Sequence, residues 1–104
     1  TNEVVENKKE NVYKSKQLKK NIYSGWTIQM SSRSSLELAK RDQTKALNNG
    51  FDAYIEQSTD NSTGKIWFRV RIGNFSTLEN AKKIKKEIEK FWSKGTWIDR
   101  VKIK

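Results

Sequence analysis

Tryptophan and arginine alternate along one short stretch of this chain, Lys65-Ile66-Trp67-Phe68-Arg69-Val70-Arg71-Ile72. Successive side chains of a strand point to opposite faces, so Trp67, Arg69 and Arg71 share one face and Phe68, Val70 and Ile72 the other. An aromatic ring beside guanidinium groups can pack on a flat apolar ligand surface while the guanidinium pairs with an anion. Gln29 adds a neutral donor and acceptor. Tyr54 adds a second ring, and Arg100 and Lys102 add cations on the last apolar run. This is binding chemistry. Catalysis is poorly served, because cysteine and histidine are both absent, which removes thiol and imidazole catalysis, disulfides and the usual zinc sites. Asp52 and Glu56 lie four residues apart on one strand, ~13 Å, whereas a glycosidase needs two carboxylates roughly 5–10 Å apart across a cleft. A non-catalytic domain without cofactor or metal is expected.

The composition narrows the partner. The 104 residues leave room for one domain, 34% are hydrophobic and 33% charged, and 22 Lys+Arg against 12 Asp+Glu give a formal net charge of +10. Such a surplus favours polyanions or anionic surfaces. No apolar run is long enough for a membrane span. Residues 1–22 mix Lys, Glu and Asn with scattered Val4, Val5, Val12 and Leu18 at no sustained period, and are expected to be a basic polar tail or linker. The domain then occupies 23–104. The chain opens on Thr1 rather than Met, so a fragment or processed product is expected, with room for an upstream anchor.

An internal repeat organises that domain. At an offset of 42 positions, Ile28 to Lys40 lies over Val70 to Lys82, and each copy runs from an alternating apolar stretch through Ser-x-x-Glu into a helical pattern. Ser34 with Glu37 and Ser76 with Glu79 fit capping boxes. Leu78, Ala81, Ile84, Ile88 and Phe91 mark the second helix; Leu36, Ala39, Ala46 and Leu47 mark a weaker first one, with Asp42 where the second copy has Ile84. Gly50 and Gly95 are expected to close the two helices, with strands following at Phe51–Glu56 and Trp97–Ile103. Gln57 to Gly64 is expected to be a hairpin loop. The order strand-helix-strand-strand-helix-strand predicts an α+β, ferredoxin-like βαββαβ sandwich, a four-stranded antiparallel sheet with both helices on one face.

Alternation then assigns the two faces of the sheet. Ile28, Met30, Ala53, Ile55, Phe68, Val70, Ile72, Val101 and Ile103 are expected to meet the helices. Thr27, Gln29, Ser31, Tyr54, Trp67, Arg69, Arg71, Ile98, Arg100 and Lys102 are expected on the open face, with Trp67 at mid-sheet. Asp99 falls inward by this count, a flaw unless the last strand bends away from the core.

Trp26-Thr27-Ile28-Gln29-Met30-Ser31-Ser32 and Trp67-Phe68-Arg69-Val70-Arg71-Ile72-Gly73-Asn74-Phe75 resemble the two signature strands of the sporulation-related repeat, or SPOR, domain. The resemblance covers about residues 23 to 103. It departs at Ser31, where the family usually has Gly, at Arg33, usually Phe, and at Asn74, usually Pro. It implies binding to bacterial peptidoglycan, at glycan strands stripped of their stem peptides, in envelope remodelling or cell division. It also implies a location in the cell envelope or periplasm, with division or wall-remodelling proteins as further partners. Gln29, Ser32, Trp67 and Arg69 match family positions implicated in glycan contact, and Arg100 lies near another.

The residues suit that ligand. A bare strand exposes the lactyl carboxylate of N-acetylmuramic acid, which Arg69, Arg71, Arg100 and Lys102 could answer. Gln29 suits acetamido and hydroxyl groups, and Trp67 and Tyr54 suit sugar faces. The expected glycan site is therefore Gln29, Ser32, Tyr54, Trp67, Arg69, Arg71, Ile98 and Arg100, on a monomer. The rival partner is single-stranded RNA, bound on the same open face of an RNA recognition motif. The third strand lacks the Gly-aromatic-Gly/Ala-aromatic core of that motif, and Gln29 stands where a stacking ring would be useful, so nucleic acid is the less favoured partner.

Overall fold

The computed structural model describes residues 23–103. The tail expected at 1–22, and Lys104, lie outside the described residues. The elements run β1 (Tyr23–Arg33), α1 (Leu36–Asn48), β2 (Ala53–Thr59), β3 (Ile66–Phe75), α2 (Leu78–Ile88) and β4 (Trp97–Lys102). Every strand pairing is antiparallel, and the sheet order is β2-β3-β1-β4. This is the expected ferredoxin-like α+β arrangement, and both helices pack on the sheet. Its core comprises Ile28, Met30, Ala53, Val70 and Ile72 from the sheet, Ala39, Ala46 and Ile88 from the helices, and Trp92.

Helix boundaries follow local hydrogen-bond chemistry, one residue away from the capping boxes. Each copy of the repeat offers two adjacent hydroxyls, and the second of each pair is the cap. Ser35 Oγ accepts from the Leu38 amide at 3.3 Å and Thr77 Oγ1 from the Asn80 amide at 3.1 Å. Glu37 and Glu79 instead sit in the first turns, where a carboxylate favours the positive end of the helix dipole. At the end of α1, Gly50 has a φ of +87°. The Gly50 amide donates to Leu47 O and the Phe51 amide to Ala46 O, both at 3.0 Å. This pair of bonds is a Schellman motif, and its left-handed residue favours glycine. Gly95 closes nothing, since α2 already ends at Ile88 and Phe91 follows it in a turn. Phe91 stacks on Phe51 with centroids 5.6 Å apart, joining the ends of the two helices.

On α1 the buried residues are Ala39, Asp42 and Ala46, while Leu36 and Leu47 are exposed. Asp42 can be buried because its carboxylate is matched. Ser31 Oγ donates to it at 2.7 Å, and Arg33 donates through Nε at 2.7 Å and Nη2 at 3.1 Å. That hydrogen bond to Asp42 raises the Arg33 guanidinium pKa, outweighing slight burial. At the β2–β3 hairpin, β2 runs three residues beyond the expected Glu56, and Asp60 opens the turn. Its side chain accepts from Ser62 Oγ and the Ser62 amide, which holds its carboxyl below the ordinary range.

Two irregularities set the sheet faces. Between β1 and β3 the register slips by one residue between Gln29 and Ser31, and slips again between Trp26 and Ile28. The first slip leaves Met30 as an extra residue on β1, and Trp92 Nε1 donates to its carbonyl at 3.0 Å. The second falls on β3 at Gly73, where φ is +73° and an added Cβ would collide with the Phe75 ring. Glycine is the residue such a bulge favours. Because a one-residue slip inverts the faces, Ser31 and Arg33 turn toward α1 and Ser32 toward the open face. Ser31 was expected outward; its bond to Asp42 places it inward.

The last strand is phased opposite to expectation. Ile98 pairs with Ile28 and packs on the core, while Asp99 pairs with Thr27 on the open side. Ile98 is thus removed from the open face. Val101 lines an open-face hollow with Tyr54 and Arg71, and Ile103 lies beyond the strand, exposed. The physical cause is geometric: β4 is an edge strand that meets the core at Ile98, so alternation counted back from Val101 and Ile103 starts in the wrong phase.

Candidate functional site

The open face can be read row by row across the sheet. Tyr54, Arg71, Gln29 and Trp97 form one row spanning all four strands, and Glu56, Arg69 and Ser32 form the next. Trp67 pairs with Ser58 beyond them, at the hairpin end of β3 rather than at mid-sheet. Thr27 and Asp99 flank the central row on the other side.

Long side chains cover short ones along the middle of this face. Thr27 is fully buried; its hydroxyl donates to Ile72 O at 3.1 Å and accepts from Tyr54 Oη at 3.0 Å. Gln29 is 2% exposed, and its Oε1 accepts from Arg71 Nε at 3.2 Å and Nη2 at 2.9 Å. Arg71 also pairs with Asp99 at 2.8 Å and with Glu56 at 3.3 Å. Its guanidinium is therefore held on three sides and its charge is matched by two carboxylates. Arg71 is buried, while Glu56 and Asp99 stay partly exposed to solvent.

The remaining cations differ sharply. The Arg100 guanidinium lies 4.2 Å from the Trp26 ring centroid and 4.8 Å from that of Tyr23, and its Nε donates to Gly25 O at 3.3 Å. Such cation–π stacking engages it with the start of β1. Among the described residues Arg69 has no ion pair. Its Nε is the one buried side-chain polar atom without a hydrogen-bond partner among the described residues. Beside it, Ser32 is exposed, and the half-buried Trp67 carries the Lys65 ammonium 4.3 Å from its ring centroid. A hollow of about 410 Å³ runs along this face, lined in part by Glu56, Ser58, Arg69, Arg71, Asp99 and Arg100.

A family model described as SPOR domain matches residues 23–93, which is most of the chain. The chain belongs to the SPOR domain family. SPOR domains are binding modules known for binding peptidoglycan, and they occur in division and envelope proteins that face the periplasm. Comparison with curated proteins and with solved structures gave no match. No helix among the described residues is long and apolar enough to cross a membrane, and no cluster of acidic residues among them could hold a metal ion.

Of the residues expected to form the SPOR site, the fold brings Ser32, Trp67 and Arg69 together at one corner. Tyr54 and Arg71 lie on the same face, with Gln29 beneath Arg71. Arg100, expected on that face, instead pairs with Trp26 in the phase opposite to Asp99 and only borders the hollow from the edge strand, and Ile98 lies on the opposite side of the sheet. Three acidic or aromatic members of the open face are missing from the expected set: Glu56 and Trp97, which alternation left unplaced, and Asp99, which it put inward. Simple alternation from Tyr54 reaches Glu56. Asp99 and Trp97 become visible only once β4 is phased from Ile98. The departures Ser31 and Arg33 join Asp42 in one hydrogen-bonded cluster on the helix side, so they leave the open-face pairing of Ser32 with Arg69 in place.

Proposed function

We propose that this SPOR domain binds glycan strands denuded of stem peptides, through the open face of its sheet. The supporting observation is Arg69, whose buried Nε lacks a partner among the described residues and lies beside an exposed Ser32 and the Trp67 ring. A bare N-acetylmuramic acid presents a lactyl carboxylate, and an arginine fork engages a carboxylate through two parallel N–H bonds. A carboxylate that drew the Arg69 side chain out to meet it would end the unpaired burial of that Nε, a penalty of about 1–3 kcal/mol. Trp67 packs against an apolar sugar face, and the Ser32 hydroxyl donates to or accepts from neighbouring sugar oxygens. Gln29 and Arg71 act as positioning residues. They hold the floor of the site and the two carboxylates, Glu56 and Asp99, that flank it.

The same charges disfavour RNA. A backbone with one phosphate per nucleotide would run its anions past Glu56 and Asp99, whereas a bare glycan carries sparser carboxylates. Discrimination arises from repulsion as much as from attraction. A peptide-bearing strand lacks the free carboxylate and adds bulk over the sheet. Recruitment of the parent protein to sites of amidase action in the envelope, alongside division or wall-remodelling partners, follows from this specificity.

Calorimetric titration with denuded oligosaccharides, peptide-bearing oligosaccharides and oligo(U) at physiological salt tests this. The denuded form should bind at least about tenfold tighter than either other ligand, a difference of ~1.4 kcal/mol. Equal binding of the two glycans contradicts the proposed specificity, and tighter binding of oligo(U) contradicts the ligand class.

A further inference from the structure

We infer that the helix layer of the domain is a docking surface for an anionic lipid bilayer, on the side opposite the open face. Much of the positive charge of the described residues lies there. On the open face Arg71 is matched by Glu56 and Asp99. On the helices, Lys40, Arg41, Lys45, Lys82, Lys83 and Lys86 are exposed and make no ion pair among the described residues. Lys85 and Lys90 take up Glu89 and Glu87, at 2.6 and 3.1 Å, and Arg33 takes up Asp42. Glu37 and Glu79, in the first turns, are the acidic residues of this layer left over.

The helical period turns these cations outward. Lys83 and Lys86 lie on the side of α2 away from the buried Ala81 and Ile88, and Lys40 and Arg41 on the side of α1 away from Ala39, Asp42 and Ala46. Both helices pack on one sheet, so their outer sides make one broad basic surface. Its cations are mostly lysine ammonium groups, hydrated point charges without the fork that grips a single phosphate or carboxylate. A shallow hollow of about 380 Å³ at Lys40, Arg41 and Thr44 also holds Glu37, which opposes an anion settling there. Diffuse charge of this kind fits a charged plane better than one bound anion.

Exposed leucines decide between a bilayer and a dissolved polyanion. Leu36 and Leu47 are 43% and 49% exposed. They lie about three turns apart on one flank of α1, with Lys40 between them. Lysine stems can lie along the headgroups of a bilayer while the leucines enter the acyl boundary. A dissolved polyanion would leave those leucines in water. With the bilayer on the helices, the open face turns away from it, so lipid and glycan can be held at once. None of these helix residues belongs to the glycan site, so this surface would survive failure of the glycan assignment.

Flotation of the full chain with mixed phosphatidylglycerol–phosphatidylcholine vesicles, and with phosphatidylcholine vesicles alone, tests this, beside titration with soluble polyphosphate. The parent should bind the anionic vesicles, lose most of that binding at high salt, and leave the zwitterionic vesicles unbound. A variant combining Lys82→Gln, Lys83→Gln and Lys86→Gln should lose about a hundredfold on anionic vesicles, at roughly fivefold per cation near the surface. Its thermal melt and its binding of denuded glycan should match the parent. Leu36→Ala with Leu47→Ala should lose about tenfold on the vesicles and bind polyphosphate like the parent. The lysines within residues 1–22 are common to parent and variants, so these losses report on the helix layer. Parental vesicle binding by either variant overturns the bilayer as occupant. In the leucine case, polyphosphate bound as tightly as the vesicles would assign the lysines to a dissolved polyanion. A parent that binds both kinds of vesicle equally, or neither, overturns it too.

Discussion

Arg69→Ala should reduce affinity for denuded glycan by about 2–3 kcal/mol, the range for a hydrogen bond to a charged group, while leaving the melting curve nearly in place. Those two outcomes usually conflict for a half-buried arginine, because truncation also removes packing by its methylenes. Here the Nε is buried without a partner, so its removal relieves a cost that offsets the lost contacts, and the net stability change should stay within about half a kcal/mol. Arg69→Lys should fall between parent and alanine, since a point charge replaces the two-pronged donor. Raising the salt should weaken the parent more than Arg69→Ala, because the variant lacks the charge pair that salt screens. Titration at low and high salt beside a thermal melt measures all of this. Parental affinity in Arg69→Ala would remove the residue on which the ligand assignment rests.

The second large effect concerns the fold. Ile72 is 2% exposed on the helix side of β3, paired with Ile28 on one strand and Ala53 on the other. Ile72→Ala should cost about 2–5 kcal/mol through lost burial and a residual cavity, against a total of about 5–15 kcal/mol for an ordinary domain. Gln29→Ala should also destabilise, although it points to the open face. It deletes the acceptor of two Arg71 hydrogen bonds at a buried position, for about 1–3 kcal/mol. Urea denaturation of both variants checks the pair. An Ile72→Ala that unfolds like the parent would mean that the faces of β3 are inverted, and a Gln29→Ala of parental stability would mean that Arg71 is not anchored there.

That difference at Gln29 shows where sequence reading stops. Alternation identified which face of β1 Gln29 occupies, but not that a longer neighbour lies over it, because coverage depends on the strand paired beside it. The central strands were legible: Phe68, Val70 and Ile72 alternate cleanly with Trp67, Arg69 and Arg71, and burial of one face enforces that register. The repeat made the element order legible as well, since each copy carries its own strand, cap and helix.

What escaped were features settled by one residue. Ser34-Ser35 and Ser76-Thr77 each offer two possible caps, and which hydroxyl meets an amide depends on where the strand ends. The bulge at Met30 has no composition signal of its own; its carbonyl partner, Trp92, lies 62 residues away. That bulge turned Ser31 inward and Ser32 outward. On β4 the apolar residues divide between both phases, and only the docking of Ile98 beside Ile28 decides between them. Asp99 then reaches Arg71, which resolves the inward carboxylate that alternation had produced.

The most direct test of the glycan assignment is co-sedimentation of the purified domain with peptidoglycan sacculi before and after amidase treatment, with Arg69→Ala run in parallel. Amidase-treated sacculi should retain far more of the parent than untreated sacculi, and Arg69→Ala should lose most of that gain. Equal retention of the parent on both preparations would contradict recognition of bare glycan through this face.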